Sequence, residues 1–375
     1  MKKKLKIAMF FSSDPAHAGG VQEHIFYLSK YLSKLGHKID IYGPQNNRLN
    51  YKNYHGISKV ITLPLPNGDW SNITIPLENI NEITKKIYLN NYNVLHIHEP
   101  YIPFVNWNLI GKNKITKVAT FHSAWNKYSL INLINPMIPL FKNLFSDNFK
   151  GAIFVSKTGI KRWKEICGRN ILKRVIHNGI DNSLKPSKEK THSNSIRILF
   201  LGRLVYRKGI HYLLKSFKKL IINDSNIRLI IVGDGKTRKD LESYCRKNKM
   251  LSQVHFVGEV FGKEKIQYYQ EADIFCAPYF DEAFGITIIE AMAVGVPIVG
   301  FKNESFREIL KNYPYPELLV EPREVERLTE ALKKIIDDKN MRQEISSWLV
   351  KESKKYSWEK IAKETEEFYY KSLGK

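Results

Sequence analysis

Two glutamates in the C-terminal half of the chain have a spacing that points to chemistry. Glu282 and Glu290 stand eight residues apart, and Glu290 lies inside an otherwise apolar segment with helical character. A carboxylate on an apolar face is costly unless a partner meets it. For Glu290 that partner is either a ribose diol or a cation. For Glu282, the alternative is an exposed acidic residue in a loop. The helix is predicted to begin near Phe284-Gly285, where unpaired N–H groups favour an anion.

A second candidate site follows a predicted strand that ends at Gly202. Arg203 and Lys208 stand five residues apart, and Gly209 opens the next helix. Arginine can hold two phosphate oxygens at once, and lysine adds a mobile point charge. These cations therefore predict a phosphate site at the carboxyl edge of a sheet. The alternative is that both are ordinary solvated charges of a surface loop.

A third candidate site is Gly19-Gly20-Val21-Gln22, between the first predicted strand and its helix. Glycine there lets a ligand approach the backbone, and the free N–H groups of the helix start favour a pyrophosphate. A tight strand–helix turn is the alternative. Because the pattern is not GxGxxG and no acid is placed to hold a ribose, a dinucleotide-dependent oxidoreductase is disfavoured.

The elements that position these residues alternate between short apolar runs and helical periodicity, which predicts parallel sheets covered by helices. Strand Lys6–Phe11, a helix from Gly20 to Gly36 and strand Lys38–Tyr42 make one βαβ unit. Further strands are predicted at Val60–Leu63, Val94–His98, Lys117–Phe121 and Ala152–Val155.

A polar segment, Asn182–Asn194, interrupts this pattern and predicts a linker. A second sheet follows, with strands at Ile196–Leu201, Arg228–Val232, Val254–Val257, Ile274–Ala277 and from Pro297. Two helices are predicted within Val325–Lys355 and a last amphipathic helix at Trp358–Leu373. The chain is thus predicted to form two α/β domains, residues 1–184 and 185–357.

The 375-residue chain has an ordinary globular composition, with 43% hydrophobic and 26% charged residues, but a net charge of +23. Residues 1–184 carry 25 basic and 10 acidic side chains. This excess favours an anionic partner. Nucleic acid is disfavoured because the lysines are dispersed and no RNA-binding aromatic signature is present. Three distant cysteines fit a reducing cytoplasm, and neither a signal peptide nor a membrane span is expected.

Taken together, these motifs resemble the retaining glycosyltransferases of family 4. The resemblance covers nearly the whole chain and rests on the Glu-x7-Glu element, the Gly-Arg-x4-Lys-Gly loop, Val232-Gly233-Asp234-Gly235 and Asn178-Gly179-Ile180-Asp181. It implies the GT-B fold, with two Rossmann-like domains whose parallel sheets face across a deep crevice and with helix 358–375 packing back on the first domain. It also implies sugar transfer from a nucleotide diphosphate sugar with retention, without cofactor or metal.

Residue by residue, the resemblance implies that Arg203 and Lys208 bind the donor diphosphate, that Glu290 holds the ribose and that Glu282 contacts sugar hydroxyls. It implies that the remaining donor-binding residues are Gly20, Gly233, Val260, Phe284, Gly285, Ile286 and Thr287. It places Gln22, His122 and Lys127 on the acceptor side and makes His122, Arg203, Lys208 and Glu282 the catalytic set. A satisfied core histidine is the competing interpretation of His122.

Within the family, the likeness is greatest to the members that mannosylate phosphatidyl-myo-inositol, through Gly19–His24, Leu95–Pro100 and Ala119–Ser123 with Lys127. This favours a hexose donor such as GDP-mannose and an inositol phospholipid or related polyol as acceptor, at the inner face of the cytoplasmic membrane. The alternatives are a UDP-sugar donor with a soluble or polysaccharide-precursor acceptor, and a nucleotide-sugar epimerase.

Membrane contact has two candidate surfaces in the sequence. The predicted helix Glu78–Asn90 has only two cations, Lys85 and Lys86, which speaks against it. The other candidate is Trp125–Lys150, where apolar residues recur at helical spacing beside three lysines. These residues are Leu130, Ile134, Met137, Ile138, Phe141 and Phe145, with Lys127, Lys142 and Lys150. An ordinary core helix, interrupted near Pro136 and Pro139, is the alternative.

Overall fold

The computed structural model describes residues 3–13, 19–46, 51–64, 70–77, 79–102, 105–111, 114–122, 138–164, 167–187, 195–222 and 226–375. The chain forms two compact units. Unit 1 contains residues 1–179 and 358–375, and unit 2 contains residues 180–357. The chain first passes from unit 1 to unit 2 after Gly179, five residues before the boundary that the sequence predicted after residue 184.

Unit 1 is built on a mostly parallel sheet. Its strands are β1 (Lys6–Phe10), β2 (Lys38–Pro44), β3 (Tyr54–Pro64), β4 (Trp70–Pro76), β5 (Val94–His98), β6 (Thr116–Phe121), β7 (Phe149–Phe154) and β8 (Leu172–Val175). Its helices are α1 (Gly20–Lys34), α2 (Ile80–Leu89), α3 (Val105–Ile110), α4 (Ile138–Asn148), α5 (Lys157–Trp163) and α13 (Trp358–Ser372). The strand order among the described residues is β4-β3-β2-β1-β5-β6-β7-β8.

Unit 2 is built on a sheet in which every described strand pair is parallel. Its strands are β9 (Ile196–Leu201), β10 (Ile227–Val232), β11 (Val254–Gly258), β12 (Ile274–Ala277), β13 (Ile298–Phe301) and β14 (Leu319–Val320), in the order β11-β10-β9-β12-β13-β14. Its helices are α6 (Ile210–Leu220), α7 (Arg238–Lys247), α8 (Gly262–Glu271), α9 (Ile286–Val294), α10 (Glu304–Ile309), α11 (Val325–Asp337) and α12 (Lys339–Ser353).

The predicted parallel α/β organisation is confirmed in both units, and strands β1 and β9 show why. Both are apolar and almost wholly buried, as a strand covered on both faces by helices must be. Helix α1 then buries Ile25, Leu28 and Leu32 against the sheet. The sequence pattern therefore specified these layers locally.

Two strands of the unit 1 sheet, β4 and β8, were not predicted from the sequence. β4 pairs antiparallel with β3, placing Ile73 opposite Ile61, and so extends an edge that the sequence predicted as the short strand Val60–Leu63 alone. The outer residues Ile61 and Ile75 are exposed. A half-exposed edge strand lacks the continuous apolar run that marks a buried one, so the pattern did not reveal β4.

Helix α13 closes the core of unit 1, although the whole of unit 2 lies between it and the rest of unit 1 in the chain. Trp358, Ile361, Phe368 and Tyr369 are buried with residues of β1 and α1 in one apolar cluster. Gly179 is in close contact with the Trp358 ring, since a Cβ there would lie 2.4 Å from the indole. The core of unit 1 therefore depends on the last helix of the chain.

We accordingly expect Trp358→Ala to destabilise unit 1 by about 3–5 kcal/mol, the usual cost of truncating a buried tryptophan. Hydrogen exchange should accelerate in β1 and β6 and stay unchanged in β9 and β10. Trp348→Ala is the matched control, because Trp348 is half-buried on α12 of unit 2. Faster exchange confined to unit 2 in the Trp358 variant would contradict this role for α13.

The proposed apolar membrane surface is corrected in part. Phe141 and Phe145 of α4 are buried in a core cluster with Phe121 and Trp163, so these two side chains cannot face a lipid surface. The phenylalanine rings instead pack against the sheet, as in the core-helix alternative. Leu130, Ile134 and Met137 lie outside the described residues. Within the described part of the chain, no helix combines the length and apolarity that crossing a membrane requires.

Candidate active site

The loop after β9 in unit 2 is held close to the loop after β12. Gly209 has φ of +64°, and a Cβ there would lie 1.9 Å from the carbonyl oxygen of Pro278. Only glycine fits this left-handed position against another backbone. This contact places the turn that ends at Lys208 directly beside Tyr279 and Glu282.

Lys208 and Glu282 form a mostly buried ion pair. The Lys208 ammonium contacts the Glu282 carboxylate, and the two side chains are only 9% and 17% exposed. The same ammonium lies 3.8 Å from the centroid of the Tyr279 ring, whose hydroxyl donates to the carbonyl oxygen of Leu201 at 2.8 Å. The cation is thus fixed between a carboxylate and an aromatic face, close to the carboxyl end of β9.

The neighbouring arginines affect the two members of this pair in opposite ways. Burial lowers the pKa of Lys208, and Arg207 and Arg203 lower it further, while Glu282 opposes them. Burial alone would raise the pKa of Glu282, but Lys208, Arg207 and Arg203 outweigh it and hold that pKa below its usual range. Three cations therefore act on one carboxylate, and this excess of positive charge suits an anionic ligand.

The amino end of α9 lies next to this pair. Gly285 caps the helix with φ of +92°, which favours glycine, and Phe284 is buried just before it. Ile286 and Thr287 are the first helical residues, so their N–H groups lack partners within the helix. The hydroxyls of Thr287 and Tyr279 lie 3.3 Å apart. These amides add donors to the positive field around Lys208.

Glu290 forms an ion pair with a lysine of unit 2. Its carboxylate accepts hydrogen bonds from the Lys265 ammonium at 2.7 Å and from the Tyr269 hydroxyl at 2.9 Å. The sequence left two partners open for this buried acid, a ribose or a cation, and the structure contains the ion pair. The ribose role of Glu290 remains a prediction. A cationic partner was one of the two alternatives, but the sequence did not identify Lys265 or Tyr269 as partners.

We expect Lys265→Met to destabilise unit 2 by about 3 kcal/mol, because it removes a charged partner from a buried carboxylate. Lys302→Met is the matched control, since Lys302 pairs with Glu321 at the surface and such pairs contribute at most about 1 kcal/mol. Urea unfolding followed by amide exchange in unit 2 measures both. Equal destabilisation by the two substitutions would show that the Lys265–Glu290 pair has no special weight.

The other predicted donor residues lie at the carboxyl end of the same sheet. Gly233, after β10, has φ of +126°, and a Cβ there would lie 2.1 Å from the carbonyl oxygen of Gly202. Val260 is buried two residues beyond the end of β11. The glycine thus permits close contact between the loops after β9 and β10.

In unit 1, the predicted residues occupy the ends of β6 and α1. Gly20 begins α1, with Gln22 in its first turn. His122 follows β6, and its backbone N–H donates to the Glu99 carboxylate at 2.9 Å. Lys127 lies outside the described residues.

His122 belongs to a group of four buried histidines, the histidine cluster: His24, His96, His98 and His122. His98 Nδ1 and His122 Nε2 share a hydrogen bond of 2.9 Å, and His24 Nδ1 lies 2.7 Å from Asn178 Oδ1. His96 is bonded through both ring nitrogens, to the hydroxyls of Tyr369 and Thr120. His122 therefore has imidazole neighbours that the sequence analysis did not identify.

The histidine cluster is uncharged at neutral pH. Burial lowers the pKa of His24 to about 4 and that of His96 to about 3. Burial, followed by the neighbouring rings, also lowers the pKa of His98 and His122 well below the usual range. His122 is thus a neutral imidazole, in which one ring nitrogen donates a hydrogen bond and the other accepts one. Alternation of His96 and His98 on one strand was the signal for the cluster, since both side chains face one side of the sheet.

The predicted site residues are therefore divided between the units. Unit 2 brings Arg203, Lys208, Glu282 and the start of α9 together, while unit 1 contains Gly20, Gln22 and His122. Residues missed by sequence reasoning are Tyr279, Lys265, Tyr269, His24, His98 and Asn178.

Comparison with known proteins gives consistent matches across the chain. Residues 18–184 match the family model described as Glycosyltransferase Family 4, and residues 181–347 match Glycosyl transferases group 1. An uncharacterized glycosyltransferase of Methanocaldococcus jannaschii is 29% identical, covering 97% of this chain and 98% of that protein. The phosphatidyl-myo-inositol mannosyltransferase of Mycolicibacterium smegmatis is 26% identical, covering 92% of this chain and 88% of that protein.

Among solved structures, the Anabaena protein HepE in complex with UDP and glucose has a TM-score of 0.79 to this chain. It is 18% identical and covers 98% of this chain and 100% of its own. At this identity the likeness shows the fold.

Proposed function

The chain belongs to glycosyltransferase family 4 and has the GT-B fold, and from this premise we propose that it transfers a hexose, with retention of anomeric configuration, from a nucleoside diphosphate sugar to an acceptor hydroxyl. The observation that carries the donor assignment is the Lys208–Glu282 pair, held beside Arg203 and the amino end of α9. An anionic diphosphate is the ligand that such an arrangement suits.

The proposed chemistry follows from where charge develops. As the bond from the sugar to the diphosphate breaks, negative charge grows on the leaving oxygens, and fixed cations and amides lower the energy of that state. Arg203, Lys208 and the N–H groups of Ile286 and Thr287 supply these donors. Glu282 holds Lys208 in place and contacts the sugar hydroxyls. The proposed transfer requires no metal ion.

For the acceptor we propose an inositol phospholipid or a related polyol, and for the donor GDP-mannose. Support comes from the likeness to phosphatidyl-myo-inositol mannosyltransferases and from the excess of basic side chains in residues 1–184. A basic surface attracts anionic lipids by about 1 kcal/mol for each well-placed Lys or Arg, so reversible attachment to the inner face of the cytoplasmic membrane needs only a few residues.

A second candidate is transfer from a UDP-sugar to a soluble or polysaccharide-precursor acceptor. Two observations favour it: the burial of Phe141 and Phe145 removes part of the proposed lipid surface, and the Anabaena protein of similar fold binds UDP and glucose. In this case the protein needs no membrane contact.

Product analysis tests the proposal. The full chain is incubated with GDP-mannose, UDP-glucose or UDP-N-acetylglucosamine, with and without phosphatidylinositol vesicles or free myo-inositol, in the presence of a chelator. We expect an α-linked mannosyl lipid by NMR, because retention conserves the α configuration of GDP-mannose. A product from a UDP-sugar and a soluble acceptor would favour the second candidate. Conversion of the donor sugar without any acceptor would identify an epimerase.

Vesicle flotation tests the membrane part separately. We expect binding to vesicles containing phosphatidylinositol at low salt, and weaker binding as salt screens the surface charge. Neutral phosphatidylcholine vesicles are the control. Failure to bind anionic vesicles at low salt would overturn the membrane attachment while leaving the transferase assignment intact.

A further inference from the structure

We propose that His24, His98 and His122 of unit 1 form a binding site for a divalent transition-metal ion of the Zn²⁺ type. Each residue offers one ring nitrogen, and these three atoms all lie within 4.8 Å of one another. Imidazole nitrogen suits Zn²⁺, Cu²⁺ and Ni²⁺. The family resemblance implied transfer without a metal, and these histidines are 24 to 98 residues apart in the chain, so no local motif marks them as ligands.

The hydrogen bonds of His24 and His98 leave one nitrogen of each ring for a ligand. Binding by His122 as well requires its hydrogen bond with His98 to open, because that bond uses the one lone pair of either ring. His24 uses Nδ1 toward Asn178, which leaves Nε2 with a lone pair when Nδ1 is the donor. The Nε2 atom of His98 is buried and has no hydrogen-bond partner. A buried polar atom without a partner is costly, so a ligand at this point would remove a real penalty.

The fourth histidine of the cluster differs from the other three. His96 has both nitrogens engaged by hydroxyl groups, at 2.7 Å from Tyr369 and 2.6 Å from Thr120. It therefore lacks a free lone pair, although it packs 4.1 Å from the His98 ring centroid. The structure thus distinguishes three ligands from one supporting histidine within a single cluster.

The surroundings also suit a buried cation. Tetrahedral Zn²⁺ with bonds of about 2.0–2.1 Å requires its three nitrogen ligands to lie about 3.4 Å apart. Side-chain rotations that move the ring nitrogens by about 1 Å are therefore sufficient to reach this geometry. The Glu99 side chain accepts the His122 backbone N–H and so fixes the backbone from which this ligand projects. A hydrogen bond that orients a ligand histidine, such as Asn178 to His24, is usual in metal sites.

An ion at this site would occupy a ring nitrogen of His122. Because our proposed function places His122 on the acceptor side, Zn²⁺ should act as an inhibitor of transfer and not as its cofactor. The binding measurement below does not depend on catalysis, so failure of the proposed function would leave the metal site testable by itself.

The experiment uses the full chain, freed of metal by a chelator and then titrated with Zn²⁺ alone by calorimetry or with Co²⁺ alone by visible absorption. We expect one tightly bound ion per chain. His98→Gln and His122→Gln should each weaken binding by at least about 100-fold, beyond the 10- to 100-fold loss typical of an outer-shell change. His96→Gln is the matched control, and its affinity for the metal ion should stay within about 10-fold of the wild-type value.

Circular dichroism establishes that each variant is folded, and histidine-selective ¹⁵N NMR of the wild-type protein needs no variant. Zn²⁺ should shift one ring nitrogen each of His24, His98 and His122 and leave the two of His96 nearly unchanged. The proposal is overturned if the wild type binds no ion, if exposed histidines such as His55 and His255 shift in place of these three, or if the folded variants bind as tightly as the wild type.

Discussion

Replacing Lys208 with alanine is expected to weaken binding of the nucleoside diphosphate sugar by about 10- to 100-fold. Each charge-assisted hydrogen bond to a phosphate contributes about 1.5–3 kcal/mol, and every 1.4 kcal/mol corresponds to about tenfold in affinity. Catalysis should suffer further, because the same cation is proposed to stabilise the leaving diphosphate. Calorimetry with the donor nucleotide and initial-rate kinetics measure the two effects separately.

Loss of Lys208 also leaves the mostly buried Glu282 without its direct ion-pair partner, so the variant must be compared with one that keeps this pair. Arg203→Ala does so, and we expect it to weaken donor binding in the same direction. Lys219→Ala is the charge-matched control, since Lys219 forms an exposed pair with Glu326 on another face of unit 2. Unchanged donor affinity in both the Arg203 and the Lys208 variants would remove the proposed diphosphate site.

Replacing His122 with alanine is expected to lower the rate of sugar transfer by about 100-fold or more. This is the smallest effect usually seen when a side chain that acts in the transition state is lost. Affinity for the donor nucleotide should stay within about twofold, because Arg203 and Lys208 of unit 2 supply the binding energy. His122 is almost fully buried and its ring shares a hydrogen bond with His98, so the ring is held in a defined orientation.

The control for His122 is His55→Ala, which removes an exposed imidazole from β3 of the same unit. It should leave both transfer and donor affinity close to wild type. Thermal unfolding checks that the His122 variant keeps its fold, since its ring contributes a hydrogen bond to His98. Near wild-type turnover in a folded His122 variant would return this residue to the role of a core histidine.

Much of the candidate site in unit 2 could be predicted from the sequence because its residues belong to short local motifs. Gly202 to Gly209 form one loop, and Glu282 to Glu290 span one loop and the helix after it, so the strand and helix signals that flank them fix their positions. Such loops converge at the carboxyl ends of parallel strands. The sequence therefore predicts that Arg203, Lys208 and Glu282 lie near each other. The structure contains that proximity.

Partners that are distant in sequence could not be predicted in the same way. Lys265 meets Glu290 from a different helix, and His24 meets Asn178 from 154 residues away. Neither contact leaves a local pattern, because a single lysine or histidine on a helix is compatible with many surroundings. The direction in which Phe141 and Phe145 face was likewise undecided, since an apolar helical stripe packs equally well against a core or a lipid surface.

The sequence by itself determined the two α/β units, the positions along the chain of most of their buried strands and the loops that carry the candidate donor residues. Local chemistry is sufficient for this, because apolar runs, helical periodicity and glycine turns act over a few residues. Only the tertiary structure decided that Lys208 is paired with Glu282 and that three histidines from α1, β5 and the end of β6 converge. Those outcomes depend on which surfaces exclude water together, and burial of that kind is a property of the whole packed chain.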